Sequence, residues 1–284
     1  MAHLEYEDKF IGFIDILGFK DMIEQSEKGE GLSVNEIQEI LSELEHRANI
    51  DFIRKSGPKI CPTSPRLNQG LDFEVTQISD CAIVSSEISP AGLINLINHC
   101  WGAVITLLTK GILMRGYITR GNIVHHGNLV IGTGYQEAYS KEGVVTAFKI
   151  EADEKGTPFV EVDPSVLKYV NDQEDTCVKE MFGRMVESDG TVAALYPFKR
   201  LSHSFMIGGL GMPQFDPQKE KRNNDRVRQN LKTMIARLID AVPEENTRGR
   251  RKTRHYISAL EQQLKTCDKT DEMIDKLAGP VGPQ

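Results

Sequence analysis

An α+β fold is predicted for this 284-residue chain from three features. An apolar run at residues 9–16 reads as a buried strand, and a Ser79-Asp80 link joins two strand-like segments. Between and after them, apolar residues recur at helical spacing. In the first strand Phe10, Ile11, Phe13, Ile14, Ile16 and Leu17 supply the apolar positions, and a helix follows over residues 18–28. A second helix begins near Ser33, where Glu36 three residues on forms a capping-box signal and Ile37, Ile40, Leu41 and Leu44 keep one face apolar. Residues 55–70, rich in Pro, Ser and Gly, read as a loop. A hairpin over 71–78 and 81–86 comes next. The long apolar helix 89–110 has Pro90 just inside its start, with Trp101, Ile94, Ile97 and Ile105 as its buried stripe. A strand over 113–124 leads through Gly127, Gly132 and Gly134 into a helix over 134–142.

This order, β-α-α-β-β-α-β-α, fits a ferredoxin-like mixed or antiparallel sheet with helices on one face. Residues 157–162 and 192–207 are expected to add strands, and 218–241 and 246–264 to form two helices. Residues 279–283 read as a frayed tail. The expected organisation is a catalytic domain over 1–210 with a C-terminal helical extension, 211–284, packed on it.

Composition narrows the function classes. Hydrophobic residues make up 39% and charged residues 26% of the chain, ordinary for a soluble globular protein. A net charge of −7 argues against general nucleic-acid binding. No apolar run is expected to reach the roughly 20 residues that span a bilayer, and the N-terminal residues show no signal-peptide pattern. Cys61, Cys81, Cys100, Cys177 and Cys267 form no metal or disulfide spacing. The expectation is a cytoplasmic protein with reduced thiols.

Two isolated carboxylates carry the chemistry. Asp15 ends the first apolar strand, and Asp80 sits at the hairpin turn. A charge in such a setting costs several kcal/mol unless compensated, and two converging carboxylates repel unless a cation lies between them. Mg²⁺ or Mn²⁺, with triphosphate oxygens and the Ile16 carbonyl as further ligands, suits the pair. The turn Leu17-Gly18-Phe19 offers backbone N–H groups to phosphates. Strand alternation puts Phe13 on the face of Asp15, where it would border a nucleotide.

Phe13-Ile-Asp15-Ile-Leu-Gly-Phe19 resembles the first metal-binding motif of class III nucleotidyl cyclases, and Ile78-Ser79-Asp80-Cys81-Ala-Ile-Val-Ser85 their second. Arg115-Gly-Tyr-Ile-Thr-Arg-Gly121 is similar to their following strand. Gly132-Thr-Gly-Tyr-Gln-Glu-Ala-Tyr-Ser-Lys-Glu142 is similar to the helix that carries their catalytic Asn and Arg. The resemblance spans residues 8–145 in order. It implies two divalent ions per active site on Asp15 and Asp80, and a head-to-tail homodimer with sites at the interface. Thr76, Leu129, Gln136 and Ser140 would come from the other subunit.

The pattern also departs from that family. The purine-reading position, four residues before Asp80, is Thr76 rather than Lys or Glu, and its partner falls at Leu129. Gln136 stands at the Asn position and Ser140 at the transition-state Arg position. Arg115, Arg120 and Lys141 are candidate replacements for that arginine. The wording of these segments is similar to the pyrimidine cyclases of bacterial Pycsar antiphage systems. That likeness implies conversion of UTP, or CTP, to the cyclic nucleotide, which then acts on a separate effector. A purine cyclase with unusual base readers and a non-catalytic cyclase-like domain are the alternatives. A palm-type polymerase or diguanylate cyclase is disfavoured by the absence of a Gly-Gly-acidic-acidic turn and of a template-binding basic surface.

Other signals read more plainly. Gly208-Gly-Leu-Gly211 lacks the rest of a dinucleotide fingerprint and reads as a turn. His125-His126 reads as a turn-proximal surface pair, Cys100 beside His99 as core, and 248–254 as a solvated basic helix start.

Overall fold

In the computed structural model the described residues are 4–45, 50, 51, 53, 70–201 and 215–278, with no side chain described for residue 200. The expected loop at 55–70 falls outside them except for residue 70, and the 208–211 turn, the boundary at 210/211 and the 279–283 tail also lie outside. The chain divides into two compact units, Met1–Tyr196 and Pro197–Gln284.

The first unit is built on β1 (Glu7–Ile16), an interior strand, whose burial follows from its near-continuous apolar run. Gly18, left-handed at φ 79°, turns the chain into α1 (Phe19–Glu27). α2 (Val34–Glu45) opens with the expected reciprocal cap: the Ser33 N–H donates to the Glu36 carboxylate at 2.8 Å, and the Glu36 N–H to the Ser33 hydroxyl at 3.3 Å. β2 (Phe73–Ile78) and β3 (Cys81–Glu87) form the hairpin, with Ser79 at φ 54° making the turn. α3 (Pro90–Thr109) starts at Pro90 behind Ser89, whose hydroxyl accepts from the Gly92 N–H at 2.9 Å.

β4 (Met114–His126) and β5 (Leu129–Ile131) make a second hairpin, and α4 (Thr133–Glu142) follows. Short elements complete the unit: β6 (Val160–Val162), α5 (Pro164–Asn171), α6 (Thr176–Gly183), β7 (Val186–Ser188) and β8 (Ala193–Leu195). α5, α6, β5 and β7 carry no strong sequence signal because each spans only three to eight residues.

The strand order is β2-β3-β1-β4-β6-β8-β7, with β5 paired to β4. β1 lies antiparallel between β3 and β4, and β2 is antiparallel to β3. The first four strands thus have the ferredoxin-like arrangement. The parallel β4–β6 pair makes the extended sheet mixed, and the fold is α+β as the element order predicts.

The sheet has two unlike faces. Phe10, Ile14 and Ile16 of β1 join Ala82, Val84, Met114 and Ile118 in the main core, together with Ile40, Leu44, Leu96, Ile97, Cys100 and Trp101 from the helices. α3 is long and apolar enough to cross a membrane by length and composition, contrary to the sequence expectation. However, 78% of its most apolar stretch is buried inside the fold, so core packing accounts for its composition. On the opposite face Ile11, Phe13, Ile83, Ile123 and Ala138 form a smaller cluster. The helices therefore do not all share one face: α4 crosses to this second face. Gly121 and Gly134 allow the approach, since a Cβ on Gly121 would stand 2.9 Å from the Gly134 Cα.

Cys81, Cys100 and Cys267 are free thiols, whereas Cys177 is disulfide-bonded, which corrects the expectation of reduced thiols throughout. In the second unit a short 3₁₀ turn (Pro197–Leu201) precedes α7 (Pro217–Asp240) and α8 (Thr247–Ala278). Leu231, Met234, Leu238, Tyr256, Leu260 and Ile274 are among their buried residues. Arg228 ties the two helices, reaching Asp271 at 2.5 Å and Asp268 at 3.2 Å. α8 runs past the expected end at 264 because buried Cys267 and Ile274 continue its apolar stripe.

Gly116 is where the central strands tolerate no side chain, because a Cβ there would stand 2.3 Å from the Phe13 carbonyl oxygen. Gly116→Ala is expected to destabilise the protein by about 2 kcal/mol, within the usual cost of overpacking a closed site. Chemical denaturation checks this.

Candidate active site

Asp15 occupies the next-to-last position of β1, directly opposite Cys81 on β3 and Arg115 on β4. The strand's period of two places its side chain on the α4 face, with Ile11 and Phe13. Asp80 reaches the same place from the β2–β3 turn. Its backbone carbonyl accepts from the Ile16 N–H at 3.1 Å, and its side chain is within hydrogen-bonding reach of the Asp15 carboxyl. The two aspartates, 65 positions apart in sequence, are therefore brought together.

A third carboxylate stands beside them. Glu142 ends α4 and is buried, with its carboxylate paired to the Arg115 Nε. Burial of Asp15, then repulsion from Glu142 and Asp80, pushes its carboxyl up to about 7, with Arg115 opposing the shift. The same surplus of negative charge acts on the neighbouring Cys81 thiol. Burial, then Asp15 and Asp80, push that thiol up to about 11, so it stays protonated and unreactive at neutral pH.

Such a site suits a divalent cation, which would remove the repulsion that holds a proton on Asp15. Asp15 and Asp80 would offer such an ion hard carboxylate oxygens, with the Ile16 carbonyl next to Asp15 in the chain. Among the described residues no group of three or more His, Cys, Asp or Glu side chains is arranged to hold a metal ion. An ion held by the two aspartates would need its further ligands from substrate oxygens or water. At the adjacent turn the Leu17 N–H is already bonded to the Leu113 carbonyl at 2.9 Å. That bond takes the Leu17 N–H out of the expected phosphate turn; at its Gly18–Phe19 end Gly18 provides no side-chain cap to α1.

The remaining sequence candidates scatter. Phe13 is buried rather than open, its ring 5.4 Å from Tyr139 and 6.3 Å from Tyr135. Tyr139 is the exposed member of that aromatic group, 60% accessible. Thr76 is buried under the β4–β5 hairpin, its hydroxyl donating to the Gly127 carbonyl at 2.5 Å and lying 2.8 Å from the His125 Nε2. Leu129 is exposed on that hairpin, next to the turn that closes over Thr76. Gln136 and Ser140 are exposed on α4, on the side away from buried Gly134 and Ala138.

Of the three candidate cations, only Arg115 stands directly across from Asp15. Arg120 projects from the other face of the sheet, where its Nε and Nη2 fork onto Asp8 at 2.9 and 2.7 Å. Lys141 is held by Glu137 at 2.8 Å and Asp163 at 3.2 Å, with its ammonium 5.0 Å from the Tyr117 ring centroid.

Two features escaped the sequence reading. Gly134, Ala138 and Glu142 lie four residues apart and share the buried face of α4. An ionisable residue on that stripe was the available signal for Glu142. His125 was expected at the surface but is buried, between Thr76 and a 2.8 Å contact with the Ser85 hydroxyl. Burial, then the nearby Lys9, pushes its imidazole down to about 4, so it stays neutral. No local pattern reveals this, because it depends on the hairpin folding back over β2 and β3.

No protein-family model matches the chain, and no curated protein sequence matches it. Among solved structures, the chain is similar to the crystal structure of the catalytic core of a rhodopsin-guanylyl cyclase with converted specificity in complex with ATPαS. The match has a TM-score of 0.38 and 13% identity, over 68% of this chain and 95% of that one.

Asp15 also makes stability depend on pH. Its folded-state carboxyl holds a proton up to about pH 7, whereas the unfolded chain releases it near 3.8. Between those values the folded state binds more protons, so this group lowers stability as pH rises through the window. In EDTA, Asp15→Asn is expected to melt above the wild type at pH 8, and the difference is expected to vanish near pH 4. Thermal melts across that range check it.

Proposed function

We propose that this protein is a nucleotidyl cyclase that acts on a pyrimidine nucleoside triphosphate, UTP ahead of CTP. The observation that carries the reading is the meeting of Asp15 and Asp80 beside the glycine-led start of α1. That is the place where the class III motif resemblance requires two carboxylates and a phosphate site. In the reaction the ribose 3′-oxygen bonds to the α-phosphorus and the bond from that phosphorus to the β-phosphate bridging oxygen breaks. Pyrophosphate leaves, and the hydroxyl proton passes to solvent.

Asp15, Asp80 and the Ile16 carbonyl would hold two Mn²⁺ or Mg²⁺ ions. When bound, the ions supply Lewis acidity at the 3′-hydroxyl and at the phosphates. The chain's own part is to fix these oxygens on rigid strands and to offer the α1 N–H groups to the phosphate tail. The pyrimidine preference is supported by the resemblance and by the lack of a Lys or Glu at Thr76 and of its purine-reading partner at Leu129. Because the Thr76 hydroxyl is engaged by Gly127 and His125, base reading in this proposal relies on the shape of the hairpin that covers it. The homodimer, the responsive effector and the antiphage role belong to the same proposal.

Incubating the purified protein with each of ATP, GTP, CTP and UTP plus Mn²⁺, and identifying products by mass spectrometry, tests it. Cyclic UMP is the expected main product, and Asp80→Ala is expected to reduce turnover below detection. A dominant cyclic purine product would remove the specificity assignment. The absence of any cyclic product would remove the enzyme.

A further inference from the structure

The site has a surplus of acidic groups and one well-placed cation, and the surroundings of that cation are unusual. Arg115 and Glu142 are mostly buried, with side chains 14% and 11% exposed. The Arg115 Nε is bonded to Glu142, yet among the described residues its two terminal nitrogens make no hydrogen bond to protein. Nor are those atoms sealed from solvent, since they do not figure among the fully buried polar atoms left without partners. Arginine heads left open on a clamped stem are donors arranged for an anion.

Gly156 completes the cradle. It sits at φ +66°, and a Cβ there would lie 2.9 Å from the Arg115 Nη1. The absence of a side chain at 156 is what admits the guanidinium. The direction is fixed as well: Arg115 faces Asp15 across the β1–β4 pair and acts on its charge. The alternatives are already committed. Arg120 is bonded to Asp8 on the opposite face, and Lys141 is shared between Glu137 and Asp163.

We propose that Arg115 is the catalytic cation that stabilises charge on the α-phosphate, in place of the arginine absent at Ser140, and that Glu142 is its positioning residue. The inference rests on the cyclase reading above. It adds that the cation comes from the same chain as Asp15 and Asp80, on a strand rather than on the exposed side of α4. Through its bond to Nε, Glu142 sets the guanidinium plane and leaves the terminal N–H groups for phosphate oxygens.

Arg115→Ala is expected to lower kcat by about 10²–10³, the usual loss when a donor to developing negative charge is removed. Millimolar guanidinium is expected to restore part of that activity, while NaCl at equal ionic strength is not. A purely structural role for Arg115 would give no such rescue. Glu142→Ala is expected to lower kcat about tenfold, with Glu142→Gln recovering most of it, as for groups that orient a catalytic side chain.

A binding measurement separates this inference from the enzyme reading. With Ca²⁺ present, inorganic tripolyphosphate is expected to raise the Tm of the wild type and to lose that effect in Arg115→Ala. If Arg115→Ala does not fold, Arg115→Gln takes its place in every arm. Should the wild type cyclise a nucleotide while the variant keeps kcat within about threefold and binds tripolyphosphate normally, Arg115 is not the cation. Should the wild type cyclise nothing, the enzyme reading fails first, and the tripolyphosphate result alone decides whether Arg115 binds phosphate.

Discussion

Negative charge gathered at the end of a buried strand is the constraint that organises the first unit of this protein. β1 has neighbours on both edges and opposed cores on its two faces, so its residues have little freedom to move. Within that frame Asp15 is pressed against Asp80 and near Glu142, with one arginine to offset three carboxylates. Asp15 and Asp80 are half-buried and only Glu142 is buried with the arginine bonded to it, so repulsion among the carboxylates is only partly offset. Repulsion of this kind, held by an otherwise well-packed sheet, is what a bound divalent cation would relieve.

The two faces of the sheet divide the work. The larger core binds α3 and its neighbouring helices to the sheet and supplies most of the buried apolar surface. The smaller one is thin: a few side chains from β1, β3 and β4 beneath α4. Glycines at 121 and 134 bring α4 close enough for its last residue to reach Arg115. Close backbone packing at one end of the helix thereby sets the electrostatics at the other. The β4–β5 hairpin does something comparable for Thr76, taking up its hydroxyl and burying His125 in neutral form.

Much of the fold was legible because it rests on local rules. β1, the Ser79-Asp80 hairpin, the Ser33–Glu36 cap and Pro90 at the head of α3 each follow from a few adjacent residues. The prominence of Asp15 was legible for the same reason, since one carboxylate in an apolar strand stands out. Glu142 and His125 were not, because their roles depend on partners tens of residues away. The family resemblance implied a base-reading place for Thr76, and chain that follows more than forty residues later covers it.

The sequence alone determined the strand and helix periods, the turn at Gly18, and the presence of two acids where apolar residues belong. It could do so because backbone preference and side-chain alternation act over a handful of bonds. Only the tertiary structure decided that these acids meet, that Arg115 rather than Arg120 shares their face, and that Glu142 holds it. Those outcomes depend on strand register and helix placement, where a shift of one residue turns a side chain to the opposite face of the sheet.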